Sequence, residues 1–302
     1  MRTAHANCYK APIYTVYFLL AGWLIGKIKR DVVSHADILS VLLVNILLPC
    51  KVFSTFANNF SFSFFVDYYI VLLAALILLS VLVIVSHFIS RLLTQNKYEQ
   101  KIYNYSFIIT NYAYLGYALI DSVLGESILA QFMLFAIPFI VYTYTVGYTQ
   151  LTGRSKNKAL INPITVAIML GILVGLLKIS LPEVVVSVTS MASSCVGPLS
   201  MLLTGITLSS FPLKDMIADK TAFIFSALRL VGIPALVYLV CCSLRIESLL
   251  PMVLTITCMP CGLNTIIFPK LVGADCKAGA RLALITHAFS AITVPFWFSL
   301  MQ

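Results

Sequence analysis

Cys258-Met259-Pro260-Cys261-Gly262-Leu263-Asn264-Thr265 interrupts one long apolar stretch, and Thr110-Asn111-Tyr112-Ala113-Tyr114-Leu115-Gly116-Tyr117 interrupts another. Both are poor continuous helices. Pro260 lacks a backbone donor and its ring clashes with the preceding turn, while glycines lower helix stability and let chains approach closely. A break exposes unpaired backbone groups, tolerable at membrane depth only where protein or a water-filled cavity satisfies them. The half-helix N-termini it creates are partly positive and suited to an anionic group. Asn111 and Asn264 then set amide donors and acceptors beside the breaks. Thr110, Asn111, Gly116, Pro260, Cys261 and Asn264 are therefore candidate crossover and substrate-binding residues. The alternative is that these polar residues only join helices by hydrogen bonds.

The chain around the two stretches is apolar. Of 302 residues, 60% are hydrophobic and 10% charged, with a mean hydropathy of +0.99. A soluble protein of this size needs charge over most of its surface, whereas lipid-facing helices are apolar all round. Stretches near the roughly 20 residues that cross a bilayer core occupy 12–27, 36–57, 68–93, 102–122, 128–150, 162–179, 184–211, 220–243, 249–271 and 279–300. The sequence thus predicts an all-α polytopic membrane protein of ten transmembrane helices, in which helices 4 and 9 are broken. Residues 1–10 lack the features of a cleavable leader. Most of the eight cysteines lie inside apolar spans, which argues against a disulfide framework. The formal charge of +9 comes from short basic clusters rather than an aromatic-studded stripe, so no nucleic-acid partner is expected.

Those clusters sort by loop. Lys27, Lys29 and Arg30, then Arg91, Lys97 and Lys101, then Arg154, Lys156 and Lys158, then Lys214 and Lys220, then Lys270, Lys277 and Arg281 fall on alternate connections. The other connections hold Arg2, Lys10, Lys178 and Arg245. Because Lys and Arg mark cytoplasmic loops, both termini are predicted outside a cell membrane. An offset of 149 positions superposes Gly22 on Gly171, Gly26 on Gly175, Lys29 on Lys178 and Pro49 on Pro198. A small register shift sets Ile109-Thr110-Asn111 on Ile256-Thr257-Cys258. Residues 1–151 and 159–302 then form two five-helix repeats joined by a cytoplasmic linker, 152–158. An odd helix number inverts one copy relative to the other, as in many secondary transporters.

The sequence resembles the auxin efflux carrier family, PIN-like membrane transport proteins within the bile acid and arsenite transporter superfamily. The resemblance rests on Leu48-Pro49, Thr110-Asn111 with Leu115-Gly116, Asn162-Pro163, Pro198 with Gly205, Arg229 to Pro234, and Met259-Pro260. It implies ten helices in two inverted repeats, crossed broken helices 4 and 9 beside the substrate site, and movement of organic anions. Ala118 stands where the family usually carries a proline after its first crossover glycine. The first break would then fall to Asn111 and Gly116, with Pro49 and Pro198 as supporting helix-break residues.

Charge inside a span is costly and usually functional. Lys51 could attract a carboxylate, pair with Asp121, or snorkel to the interface. Arg229 reads best as a packing anchor on backbone carbonyls. His287 could carry a proton or serve as a hydrogen-bonded structural residue. No acidic residue falls at the centre of a span, which disfavours a buried carboxylate relay and leaves Na+ coupling, H+ carried with the substrate, exchange or uniport open. Cys258 and Cys261 have CxxC spacing, but no metal site is expected and buried packing suits their placement. Motifs of membrane-embedded enzymes, HExxH or GxSxG, are absent. The expected function is an alternating-access carrier of a small organic anion, such as a carboxylate, in contact with the lipid bilayer and without a cofactor. A homodimer is compatible with this reading. A channel, or a soft-metal or arsenite-type carrier using Cys258 and Cys261, is the alternative.

Overall fold

The computed structural model describes residues 17–153, 162–210 and 219–301. Arg2, Lys10, Arg154, Lys156, Lys158 and Lys214, and most of the expected linker, lie outside the described residues. Apart from the one-turn helix Arg30–Ser34, twelve helical pieces make up the helical part of the described residues: α1 (Tyr17–Ile28), α2 (Ile38–Asn59), α3 (Phe62–Leu93), α4 (Lys97–Ile108), α5 (Tyr117–Val123, entered by the π-turn Tyr112–Gly116), α6 (Glu126–Thr152), α7 (Pro163–Leu177), α8 (Glu183–Ser209), α9 (Lys220–Leu244), α10 (Glu247–Cys258), α11 (Asn264–Leu271) and α12 (Lys277–Ser299). Six of these, α2, α3, α6, α8, α9 and α12, are long and apolar enough to cross a membrane. The fourth and ninth predicted spans are each divided, into α4 with α5 and α10 with α11.

Local chemistry sets the boundaries. Ser61 caps α3, its Oγ accepting from the Phe64 amide at 3.0 Å, so the helix begins earlier than the predicted residue 68. Asn96 and Asp219 cap α4 and α9 in the same way. Pro49 and Pro198 do not break their helices, contrary to expectation: α2 and α8 run through both. Ahead of Pro49 the chain widens into a π-turn, Leu43–Leu47, and a second, Leu228–Gly232, precedes Pro234. A proline leaves the carbonyl four residues back without its donor. For Pro234 that carbonyl is Leu230, and the indole of Trp297 supplies the missing bond at 2.8 Å.

Packing sorts the helices into two groups that mix the sequence halves. In one, α2 lies against α7 and α8, and α1 lies against α8. The other gathers α3 to α6 and α9 to α12. Close approach of backbones holds the first group. A Cβ on Gly22 or Gly26 of α1 would strike Leu202 or Ser209 of α8. On Gly171 it would lie 2.8 Å from the Phe53 carbonyl of α2, and on Gly175 it would strike the Phe60 carbonyl. The glycine pair of α1 thus seats on α8, and its counterpart in α7 seats on α2. Backbone cannot yield as a side chain can, so Gly175→Ala is expected to destabilise by about 1–3 kcal/mol. Gly232→Ala should be neutral or stabilising by up to about 1 kcal/mol, since only Leu228 Cδ2, at 3.7 Å, approaches its added carbon. Thermal unfolding of both variants in one detergent checks the contrast.

Candidate functional site

The two breaks meet. Chain direction changes where Ile109 and Met259 become extended, and there Thr110 and Cys261 form an antiparallel bridge. The Asn111 amide donates to the Pro260 carbonyl at 2.8 Å, and the Gly262 amide donates to the Ile109 carbonyl at 3.4 Å. Asn111 corresponds to Gly262 and Ile109 to Pro260 by one common separation of 151 positions. Each bond therefore becomes the other when the halves are interchanged. This register replaces the expected alignment of Asn111 on Cys258. Gly116 is no part of the break: it closes the π-turn that follows, in ordinary contact with Phe132 and Thr255 at 3.4 Å. The first crossover is thus broken at Ile109–Asn111 without a proline.

Breaking α10 frees carbonyls at its C-terminal end. Thr110 Oγ1 donates to the Ile256 carbonyl at 3.0 Å, and Arg229 Nη2 donates to the same oxygen at 3.1 Å. Arg229 Nη1 donates to the Thr257 carbonyl. A cation at a helix C-terminus also opposes its partial negative charge, so Arg229, 0% exposed, fills the anchoring role predicted for it. The Cys261 amide donates to Thr286 Oγ1 at 3.1 Å. The thiols of Cys258 and Cys261 face different carbonyls, Thr255 at 3.7 Å and Ser106 at 3.8 Å, which suits packing better than a shared ligand. Among the described residues no group of three His, Cys, Asp or Glu could hold a metal ion.

His287 joins this junction. Its Nε2 lies 3.0 Å from Asn111 Nδ2 and its Nδ1 lies 2.7 Å from the Ala283 carbonyl. Two cavities flank the pair. One of about 50 Å³ is lined by Thr110, Asn111, Tyr114 and Asn264. The other, about 360 Å³ and mostly apolar, runs between α1 and α8 on one side and α5 and α12 on the other, with Trp23, Leu115, Met201, His287 and Ser290 on its walls. Sequence reasoning missed Gly262, Thr286 and Trp23. Gly262 lies inside the interrupted stretch but only its bond to Ile109 gives it a role; nothing in the local pattern marks Thr286 or Trp23, whose roles come from partners distant in the chain.

Lys51 and Asp121 pair at 2.8 Å, one of the three outcomes expected for Lys51. The pair sits beside a hydroxyl-lined cavity of about 270 Å³ that also holds Ser54, Thr189, Ser193 and Glu126. At the opposite end Arg281 binds Asp219 at 2.5 Å and Glu99 at 3.6 Å. The connections expected on one side therefore meet each other. Lys51 is 7% exposed and Asp121 is 41% exposed, so the pair is asymmetric. Asp121→Asn strands a buried ammonium and is expected to cost about 2 kcal/mol. Lys51→Met leaves a carboxylate that water can reach and should cost less than about 1 kcal/mol. Equal melting temperatures for the two variants would contradict this account.

The membrane transport protein family matches residues 9–157 and 147–298. An uncharacterized transporter of Methanocaldococcus jannaschii is 24% identical over 287 residues, 91% of each chain. Both similarities run through the two breaks and the helices that hold them. This chain is a multi-pass membrane protein that belongs to the membrane transport protein family, the auxin efflux carrier-like group its crossover residues resemble.

Proposed function

We propose that this protein is a secondary transporter that moves a small organic anion across the cytoplasmic membrane by alternating access. The observation that carries the reading is the hydrogen-bonded crossing of two broken spans at a cavity between the two helix groups. The N-terminal ends of α11 and of the turn leading into α5 bring partial positive charge there, with Asn111 and Asn264 beside them. Ten transmembrane helices in two inverted five-helix repeats, residues 1–151 and 159–302, give this crossing its symmetry. The interchange of its bonds and the reciprocal seating of the two glycine pairs support that arrangement. The basic connections lie in the cytoplasm and both termini lie outside. Rocking one helix group against the other would expose the cavity alternately to each side.

Proteoliposomes preloaded with unlabelled succinate, malate, citrate or glutamate test this. Saturable entry of the labelled acid, accelerated by the unlabelled acid inside, is the expected result. Absence of counterflow for every acid, or a current that does not saturate, overturns the organic-anion carrier.

A further inference from the structure

The Asn111–His287 contact fixes more than a position. A carbonyl only accepts, so the bond to Ala283 places a hydrogen on His287 Nδ1. In the neutral ring Nε2 is then an acceptor, and Asn111 must offer it Nδ2–H. That leaves Asn111 Oδ1 buried with no partner, in a residue only 2% exposed that lines the smaller cavity. The Asn111 main chain is held by its bond to Pro260, so only the amide group is free to turn.

We infer that His287 is the proton-coupling residue of this carrier and that Asn111 reports its charge to the anion site. A proton from solvent on Nε2 turns that atom from acceptor to donor. The Asn111 amide must then rotate by about half a turn, giving Oδ1 to the ring. Its NH2 group replaces the orphaned oxygen at the cavity, so at Asn111 an acceptor gives way to a donor beside a new positive charge. An anion fits the second state and is repelled by the first.

The surroundings make the coupling obligatory. On α12 itself, Arg281 is occupied by Asp219 and Glu99. From α9, Arg229 is held by the Ile256 and Thr257 carbonyls. The ninth span offers the Cys258 and Cys261 thiols, turned to carbonyls, the fourth offers Tyr112, Tyr114 and Tyr117, and α6 offers Tyr144. From α1, Lys27 stacks 5.7 Å over the Trp23 ring that lines the larger cavity; the α8 residues lining that cavity, Met201 and Leu208, do not titrate. Among the described residues neither cavity is lined by Asp or Glu. A charge at this depth needs an opposite one, and the arriving anion supplies it. One proton and one anion therefore enter and leave together, the linkage being reciprocal.

This inference rests on the anion-carrier reading, and the experiment separates the two. Proteoliposomes with the membrane potential clamped at zero are given labelled succinate, malate, citrate or glutamate, with the outside one pH unit more acidic. The wild-type protein is expected to accumulate its substrate up to about tenfold. His287→Gln should retain slower counterflow that no longer depends on pH, with accumulation reduced to onefold. Counterflow in the wild type without pH-driven accumulation, or accumulation undiminished in His287→Gln, overturns the role of His287 and leaves the carrier standing. No counterflow at all removes both. Should the variant not fold, the wild-type protein in weakly buffered detergent still decides. Adding the acid that shows counterflow must take up about one proton per anion bound, and no uptake sinks the inference.

Discussion

Replacing Arg229 with methionine is expected to destabilise the protein by about 3 kcal/mol, lowering its melting temperature by on the order of 10 °C. The reason lies in the break of α10. A continuous helix would pair the Thr257 carbonyl with the Cys261 amide, while the Ile256 carbonyl would face Pro260, which has no N–H to offer. Here the chain turns away at Met259, and the guanidinium donates to both carbonyls. Methionine has similar length and no donor, so the Thr257 carbonyl is left bare in a buried site. Ile256 keeps the Thr110 hydroxyl. Lysine should recover only part of the loss, because a point charge cannot span two oxygens as a planar fork does. Adding Thr110→Val to Arg229→Met should cost more than the two single changes summed, since the Ile256 carbonyl then loses both donors. A strictly additive pair, or a variant melting within 2 °C of the wild type, contradicts the anchoring role.

Asn111→Leu is expected to reduce counterflow by about 100-fold, equivalent to about 2.7 kcal/mol in the transition state. Leucine keeps the backbone bond to Pro260, so the crossing itself persists. It removes the amide that links His287 to the cavity and leaves the imidazole Nε2 without its partner. The change should therefore act chiefly on transport, with a stability loss of about 1–3 kcal/mol. Transport rates measured at matched amounts of folded protein separate these effects. A leucine variant that exchanges substrate within threefold of the wild type would remove Asn111 from the site.

Much of this architecture is legible in one sequence. Alternating basic connections and apolar lengths reveal a multi-pass chain, because the bilayer imposes both directly. The two interrupted spans are visible because proline, glycine and asparagine disturb a helix wherever they stand. What faces them is not visible. Asn111 meets a histidine 176 positions away, and no local pattern encodes such a pairing. The same limit explains Gly116, which looks like a breaker yet sits in a wide turn that keeps the helix going. Pro49 and Pro198 mislead for a related reason: a proline can be absorbed where the turn ahead of it widens or where neighbouring helices hold the chain. The glycines share an offset of 149, but the crossing obeys 151, so the glycine pattern alone misplaces the register of the break by two residues.

The bridge between Thr110 and Cys261 is its own image when the two halves trade places. On the proposed alternating-access reading, a backbone contact of this kind can persist whichever way the carrier faces and serve as its fulcrum. A resting bias would then come from residues that lack a mirror counterpart. Arg229 in α9 has no basic equivalent within the core of α3, and His287 in α12 has no histidine opposite it in α6. On that reading, the direction in which this protein waits follows from its departures from symmetry, Arg229 and His287 among them.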